Sequence, residues 1–213
     1  MKAYDDASLV LSTRFSLSSL IMKEIIFLLP IGLFCPSLVH AHEAGHGGGF
    51  IDGLSHPVFG LDHFLAMISV GILSSQMGRR ALWIVPSTFV CAMLVGGILW
   101  MQDLQVPYVE LGIASSVLTL GIALAIKRKP PLPLAMFLVA FFAIFHGQAH
   151  GAEMPDLAKP ALYACGFLSG TASIHFAGVL VGVLLVRFSQ GAQLLRYLGA
   201  GVAGIGFHLI YTM

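Results

Sequence analysis

From residue 57 onward the chain repeats one pattern, an apolar run of near-constant length closed by a short polar break. Six runs result, at about 57–76, 82–101, 107–126, 132–149, 160–186 and 194–212. Each is close to the roughly 20 residues with which a helix crosses a hydrocarbon core. The breaks are short, which predicts antiparallel packing of consecutive helices. Ahead of these runs, "MKEIIFLLPIGLFCPSLVHA" at 22–41 reads as a secretory signal peptide. Lys23 makes its charged start, Ile25 to Val39 its apolar stretch, and Val39-His40-Ala41 its cleavage site. The apolar stretch is too short for a span and holds Pro30 and Pro36. The pattern therefore predicts a polar, Ser-rich extension at 1–21, dispensable or ahead of a true start at Met22. A signal peptide at 22–41, a His/Gly-rich periplasmic arm at 42–56 and a membrane domain at 57–213 follow it. The fold class is an all-α polytopic membrane protein, a bundle of six transmembrane helices.

Composition strengthens this reading. The chain is 57% hydrophobic and 10% charged, against about 25% charged in soluble domains. A net charge of +1 with no basic patch excludes a nucleic-acid partner; the partner this composition needs is the lipid bilayer. Cys35, Cys91 and Cys165 stand in apolar stretches without a paired spacing and read as small hydrophobes. Arg79, Arg80, Lys127, Arg128, Lys129, Arg187 and Arg196 fall in or beside the breaks after the first, third and fifth runs, and Lys159 alone lies on the other side. The positive-inside rule makes those three breaks cytoplasmic and the mature N-terminus periplasmic, as a cleaved signal requires.

Nine histidines change the picture further. Ionisable groups inside spans are costly and mark function more often than packing. "HPVFGLDHFLAM" opens the first run, with Pro57 suited to a first helical turn, His56 at the cap and Asp62 and His63 about 10 Å further in. "FHGQAHGAEM" closes the fourth, where His146, His150 and Glu153 share one face while the helix lasts. Glu110 lies one turn into the third run and His208 late in the sixth, both at a similar depth, with His175 about 20 Å deep in the fifth. Topology gathers His56, Asp62, His63, Glu110, His146 and His150 at one membrane face. Imidazole with carboxylate and no thiolate suits Ni²⁺, Co²⁺ or Zn²⁺. Met67 and Met154 would suit softer copper, but a Met in an apolar run reads first as packing.

Residues 42–46, "HEAGH", match the HExxH zinc signature, with Glu43 between His42 and His46. That motif works on a helix, and Gly45, Gly47, Gly48 and Gly49 oppose one. The stretch reads better as a flexible outer arm where His42, Glu43, His46 and the more distant His208 capture a metal weakly. The paired glycines Gly166 and Gly170, Gly178 and Gly182, and "GAGVAGIG" at 199–206 read as close helix contacts.

At "HPVFGLDHFLAM", "VELGIASSVLTLG", "FHGQAHGAE" and "TASIHFAG" the chain resembles the HupE/UreJ family of bacterial nickel permeases. Five residues, Pro57 to Leu61, separate the first His from the Asp-His pair. The separate nickel/cobalt transporter family has one fewer. The resemblance covers residues 42–213 and implies a metal route lined by His56, Asp62, His63, Glu110, His146, His150 and Glu153, with His175 as an inner site. It also implies a permease of the bacterial inner membrane that imports Ni²⁺, or Co²⁺, as substrate with no permanently bound cofactor. Service to hydrogenase or urease maturation, and a homo-oligomeric state, are compatible with it. No P-loop motif is present for direct use of ATP. The alternatives are an intramembrane zinc metalloprotease and a membrane anchor of a metalloenzyme assembly.

Overall fold

The structure, a computed structural model, describes residues 49–155 and 159–213. The predicted extension, the signal peptide and the arm residues His42, Glu43 and His46 lie outside the described residues. Among those residues there are seven helices and no strand. They are α1 (Phe50–Phe59), α2 (Leu61–Gln76), α3 (Ala81–Met101), α4 (Val109–Ala125), α5 (Leu132–Ala152), α6 (Pro160–Leu185) and α7 (Gly191–Tyr211). Four of them, α3, α5, α6 and α7, are long and apolar enough to cross a membrane. The pair α1–α2 meets that test jointly, bent by 85° at its break, and α4 is apolar with 17 residues.

The first predicted run is therefore corrected. Its helix starts at Phe50, inside the expected arm, and breaks at Gly60, which adopts an extended conformation. Pro57 sits within α1 and not in its first turn, and His56 is inside α1 and not at a cap. Asp62 and His63 consequently occupy the first turn of α2 and not a position two turns deep. Two local causes act together. Pro57 offers no N–H to the helix, and Gly60 ends α1 with its N–H on the His56 carbonyl while its own carbonyl receives the N–H of Phe64.

Residues 65–67 and 69–74 of α2 are buried, so this helix is enclosed on all sides and forms the centre of the bundle. The outer helices reverse the soluble arrangement. Trp83, Phe137, Phe176 and Phe207 are exposed on α3, α5, α6 and α7. An apolar exterior around a core holding His63, His146, His150 and His175 is the surface of a multi-pass membrane protein.

The short breaks predict that consecutive helices pack antiparallel, yet the main contacts lie elsewhere. The closest pairs are α3 with α5, α4 with α7, and α6 with both α1 and α2. Small residues explain the choice, because they let backbones touch. A side chain added at Gly147 would run into the backbone of Met93, Gly96 and Gly97. One at Gly199 or Gly206 would meet α4 at Leu124 or Leu118, while Gly201 and Gly204 face open space. Along α6, Gly166 abuts Phe50 and Gly53, Gly170 abuts Leu54, Gly178 abuts Ile68 and Gly71, and Gly182 abuts Ser75. The numbers rise together, so α6 runs in the same sense along α1 and then along α2. Of the glycines read from the sequence as packing elements, Gly166, Gly170, Gly178, Gly182, Gly199 and Gly206 do pack and Gly201 and Gly204 do not.

Candidate metal centre

Three chain segments meet at the site: the α1–α2 break, the start of α4 and the end of α5. A cavity of about 380 Å³ opens there, lined by Asp52, Ser55, His56, Asp62, His63, Glu110 and Glu153, with Phe59 and Gly60. Four carboxylates face it. Asp52, absent from the sequence expectation, lies in the first turn of α1, where its Oδ2 accepts the N–H of Gly49 at 3.1 Å. Its place follows from α1 beginning earlier than the hydropathy implied.

Across the mouth, His56 Nε2 donates to Glu153 Oε2 at 2.6 Å. Glu153 stands one residue beyond α5, so the expected shared helix face ends at Ala152 and the side chain turns toward α1 instead. That bond is the main reason the Glu153 carboxyl is held below the ordinary glutamate range, against the opposing pull of partial burial.

Beneath the cavity the imidazoles converge. The His63 ring centroid is 4.7 Å from that of His146 and 5.0 Å from that of His150, and the His56 ring is 5.0 Å from His150. His146 and His150 are 0% exposed and His63 6%, which is unusual for side chains of this polarity and marks the cluster. Their orientation is set by neighbours. Asp62 Oδ1 accepts both the His63 backbone N–H at 2.7 Å and His63 Nδ1–H at 2.9 Å. The first bond caps an orphan donor of the α2 N-terminus, and the second leaves His63 Nε2 as the lone pair, buried and without a partner. Asp62 therefore orients His63, as carboxylates commonly orient metal-binding imidazoles.

His146 is held through Nε2 against Ser116 of α4 at 3.0 Å, with Nδ1 unpartnered. His150 stacks on Phe167 at 4.7 Å and 3°, and neither of its ring nitrogens has a hydrogen-bond partner. Between them Gln148 ties the α3–α4 connection to α5. It accepts from Val106 N–H at 3.2 Å and donates to Leu104 O at 2.9 Å and Gly96 O at 3.3 Å. That connection leads directly into Glu110. Ser116 and Gln148 were not singled out in the sequence, because neither carries metal-ligand chemistry and only the fold shows what each touches.

His175 is kept apart. The Phe89 ring, 0% exposed, lies 5.4 Å from His146 on one side and 5.0 Å from His175 on the other. His208 is exposed on α7 and does not line the cavity. Among the described residues, no three His, Cys, Asp or Glu side chains stand ready to hold one ion. The rings are near neighbours whose donor atoms have not closed around a point.

Comparison with known proteins gives the family of the chain. The family model described as HupE / UreJ protein matches residues 30–209. A curated relative, "Protein HupE" of Rhizobium leguminosarum bv. viciae, is 41% identical over 179 residues, covering 84% of this chain and 93% of the relative. No solved structure matches. A match running from before the described helices to the last turn of α7, with the motifs around His63 and His146 inside it, identifies the chain as a member of the HupE/UreJ family.

Proposed function

We propose that this protein is a secondary permease that carries Ni²⁺, with Co²⁺ as the second candidate, from the periplasm to the cytoplasm. One observation carries the reading: three buried imidazoles with free ring nitrogens lie directly beneath a carboxylate-lined cavity. The carboxylates raise the local cation concentration. His63, His146 and His150 then replace part of the ion's water shell, a donor set suited to borderline divalent metals. Asp62, Glu110 and Glu153 offset the charge, and His56 closes the mouth against Glu153. Phe89 separates this level from His175, so the ion advances when that ring moves aside. The ion is cargo, and no resident cofactor is needed. A membrane potential suffices as a driving force, since a divalent cation gains roughly 4.6 kcal/mol per 100 mV on entry.

The same reading has six crossings, with α1–α2 as a broken first span and α4 as a short third one. Cleavage after Ala41 would leave His42 at the periplasmic N-terminus, with the HExxH match as part of a capture arm. N-terminal sequencing of the purified protein reads this directly, and a chain beginning at Met1 or Met22 would refute it. Orientation in the bacterial inner membrane is supported by basic residues at the opposite end of the bundle. There Lys129 Nζ donates to Ala123 O, Leu124 O and Ile126 O, and Arg196 Nε donates to Ala125 O. Delivery to hydrogenase or urease maturation, and assembly as a homo-oligomer, belong to the same proposal. The deciding experiment is radiolabelled nickel uptake by whole cells with and without this protein. Equal uptake in both would refute the permease.

A further inference from the structure

Ser116 is 0% exposed, about 9 Å along α4 from Glu110. Its hydroxyl meets two groups at once. Oγ lies 2.6 Å from the Ile113 carbonyl oxygen of its own helix and 3.0 Å from His146 Nε2. A serine hydroxyl has one proton, and a carbonyl oxygen can only accept. The shorter contact therefore takes the proton. Oγ then presents a lone pair to Nε2, so Nε2 must carry the ring hydrogen and donate it.

A neutral imidazole, the form that binds a metal, has a single N–H. With that hydrogen on Nε2, the His146 lone pair belongs to Nδ1. Nδ1 is buried without a partner, and the ring stands 4.7 Å from His63. His63 is set the other way round, because Asp62 takes its Nδ1–H and leaves Nε2. Facing imidazoles thus offer different nitrogens, each chosen by a neighbour that is not itself a donor in the cluster.

We infer that Ser116 is a positioning residue that fixes His146 as its Nε2–H tautomer and makes Nδ1 the atom offered to a borderline divalent cation beside His63 Nε2. The cation rests on the proposed transport reading; the tautomer does not. Loss of such an outer partner typically weakens metal binding about 10- to 100-fold.

Nitrogen NMR of protein labelled with [¹⁵N]histidine, in detergent and without metal, tests the tautomer. The His146 signals are identified by their loss in His146→Gln. Wild type should show His146 protonated at Nε2. Ser116→Ala should give a mixed or reversed tautomer, and Ser116→Thr, which keeps the hydroxyl, should restore it. Calorimetry with Ni²⁺ on the same samples should show affinity falling about tenfold or more in Ser116→Ala and recovering in Ser116→Thr. A wild-type His146 protonated at Nδ1 overturns the inference whether or not any variant folds. So does a Ser116→Ala protein whose tautomer or affinity is unchanged. Should His146 follow Ser116 as expected while wild type takes up no Ni²⁺, the transport reading fails and the tautomer assignment stands.

Discussion

His63 and His175 stand on parallel, touching helices and are almost equally buried, 6% and 1% exposed, yet their surroundings differ in kind. His63 has a carboxylate on one nitrogen, two more imidazoles within about 5 Å and a polar cavity above it. His175 has the Thr171 carbonyl oxygen at 3.3 Å from Nδ1, the Phe89 ring at 5.0 Å and an unpartnered Nε2. It lines a cavity of about 370 Å³ walled by Trp83, Pro86, Val90 and Phe176. Burial alone therefore does not define a binding level. Several donors with a counter-charge can hold a divalent ion, whereas a single imidazole in apolar surroundings can hold it only in passing, because the uncompensated charge is costly there.

The sharpest way to break that comparison is to remove the upper donors. His63→Ala and His146→Ala should each abolish saturable nickel uptake, and the double variant should be no worse than either. Residues that act as one unit are strongly non-additive. Multiplicative losses in an uptake assay would split the cluster into separate sites.

The next largest effect concerns the backbone contact that links the two levels. A side chain at Gly71 would meet the His175 carbonyl oxygen and the backbone at Gly178. Gly71→Val should thus separate α2 from α6 and lower the yield of folded protein, by an overpacking cost of about 1–3 kcal/mol or more. Gly201→Val, which faces open space, should leave size-exclusion profiles unchanged. Equal damage from both would show that α2 and α6 do not depend on close approach.

Smaller and more selective changes should separate affinity from rate. Asp62→Asn keeps the shape but weakens the orientation of His63, and calorimetry should show nickel affinity reduced about 10- to 100-fold. His175→Ala should leave that affinity intact and slow maximal uptake in proteoliposomes. If His175→Ala lost affinity as Asp62→Asn does, the two levels would be one site.

The smallest effect lies at the mouth. Glu153 has a native pKa below its ordinary value of 4.5, chiefly through the bond from His56. A depressed carboxyl pKa stabilises the fold above the unfolded value, and that contribution is lost as pH falls through the lower native value. Glu153→Gln should accordingly lower thermal stability slightly at neutral pH, with the difference from wild type closing in acid. Because the side chain is half exposed, screening keeps the effect small. A difference that persists unchanged once the carboxyl is protonated in acid would assign it to packing.

Much of this was legible along the chain. The apolar runs located the helices, since a continuous apolar run of about 20 residues satisfies its own backbone within a bilayer as a helix. His146 and His150, four residues apart, had to share a face of any helix that contained them, and basic residues had to collect at one end. The break at Gly60 was harder to read, because a Pro and a Gly near the start of an apolar run are equally consistent with a capped straight helix. That break moved Asp62 and His63 to the first turn of α2, where a backbone N–H fixes the carboxylate, and it brought Asp52 into the cavity.

The sequence by itself determined an apolar helical chain carrying imidazoles and carboxylates near one end of its spans, because period and hydropathy are local properties. Only the tertiary structure decided which helices touch, that Glu153 closes on His56, that Phe89 separates His146 from His175, and that Asp62 and Ser116 select the nitrogens of His63 and His146. Apart from the neighbouring Asp62 and His63, whose bond depends on the helix break before them, those are contacts across dozens of residues, and no pattern within one helix specifies its partner.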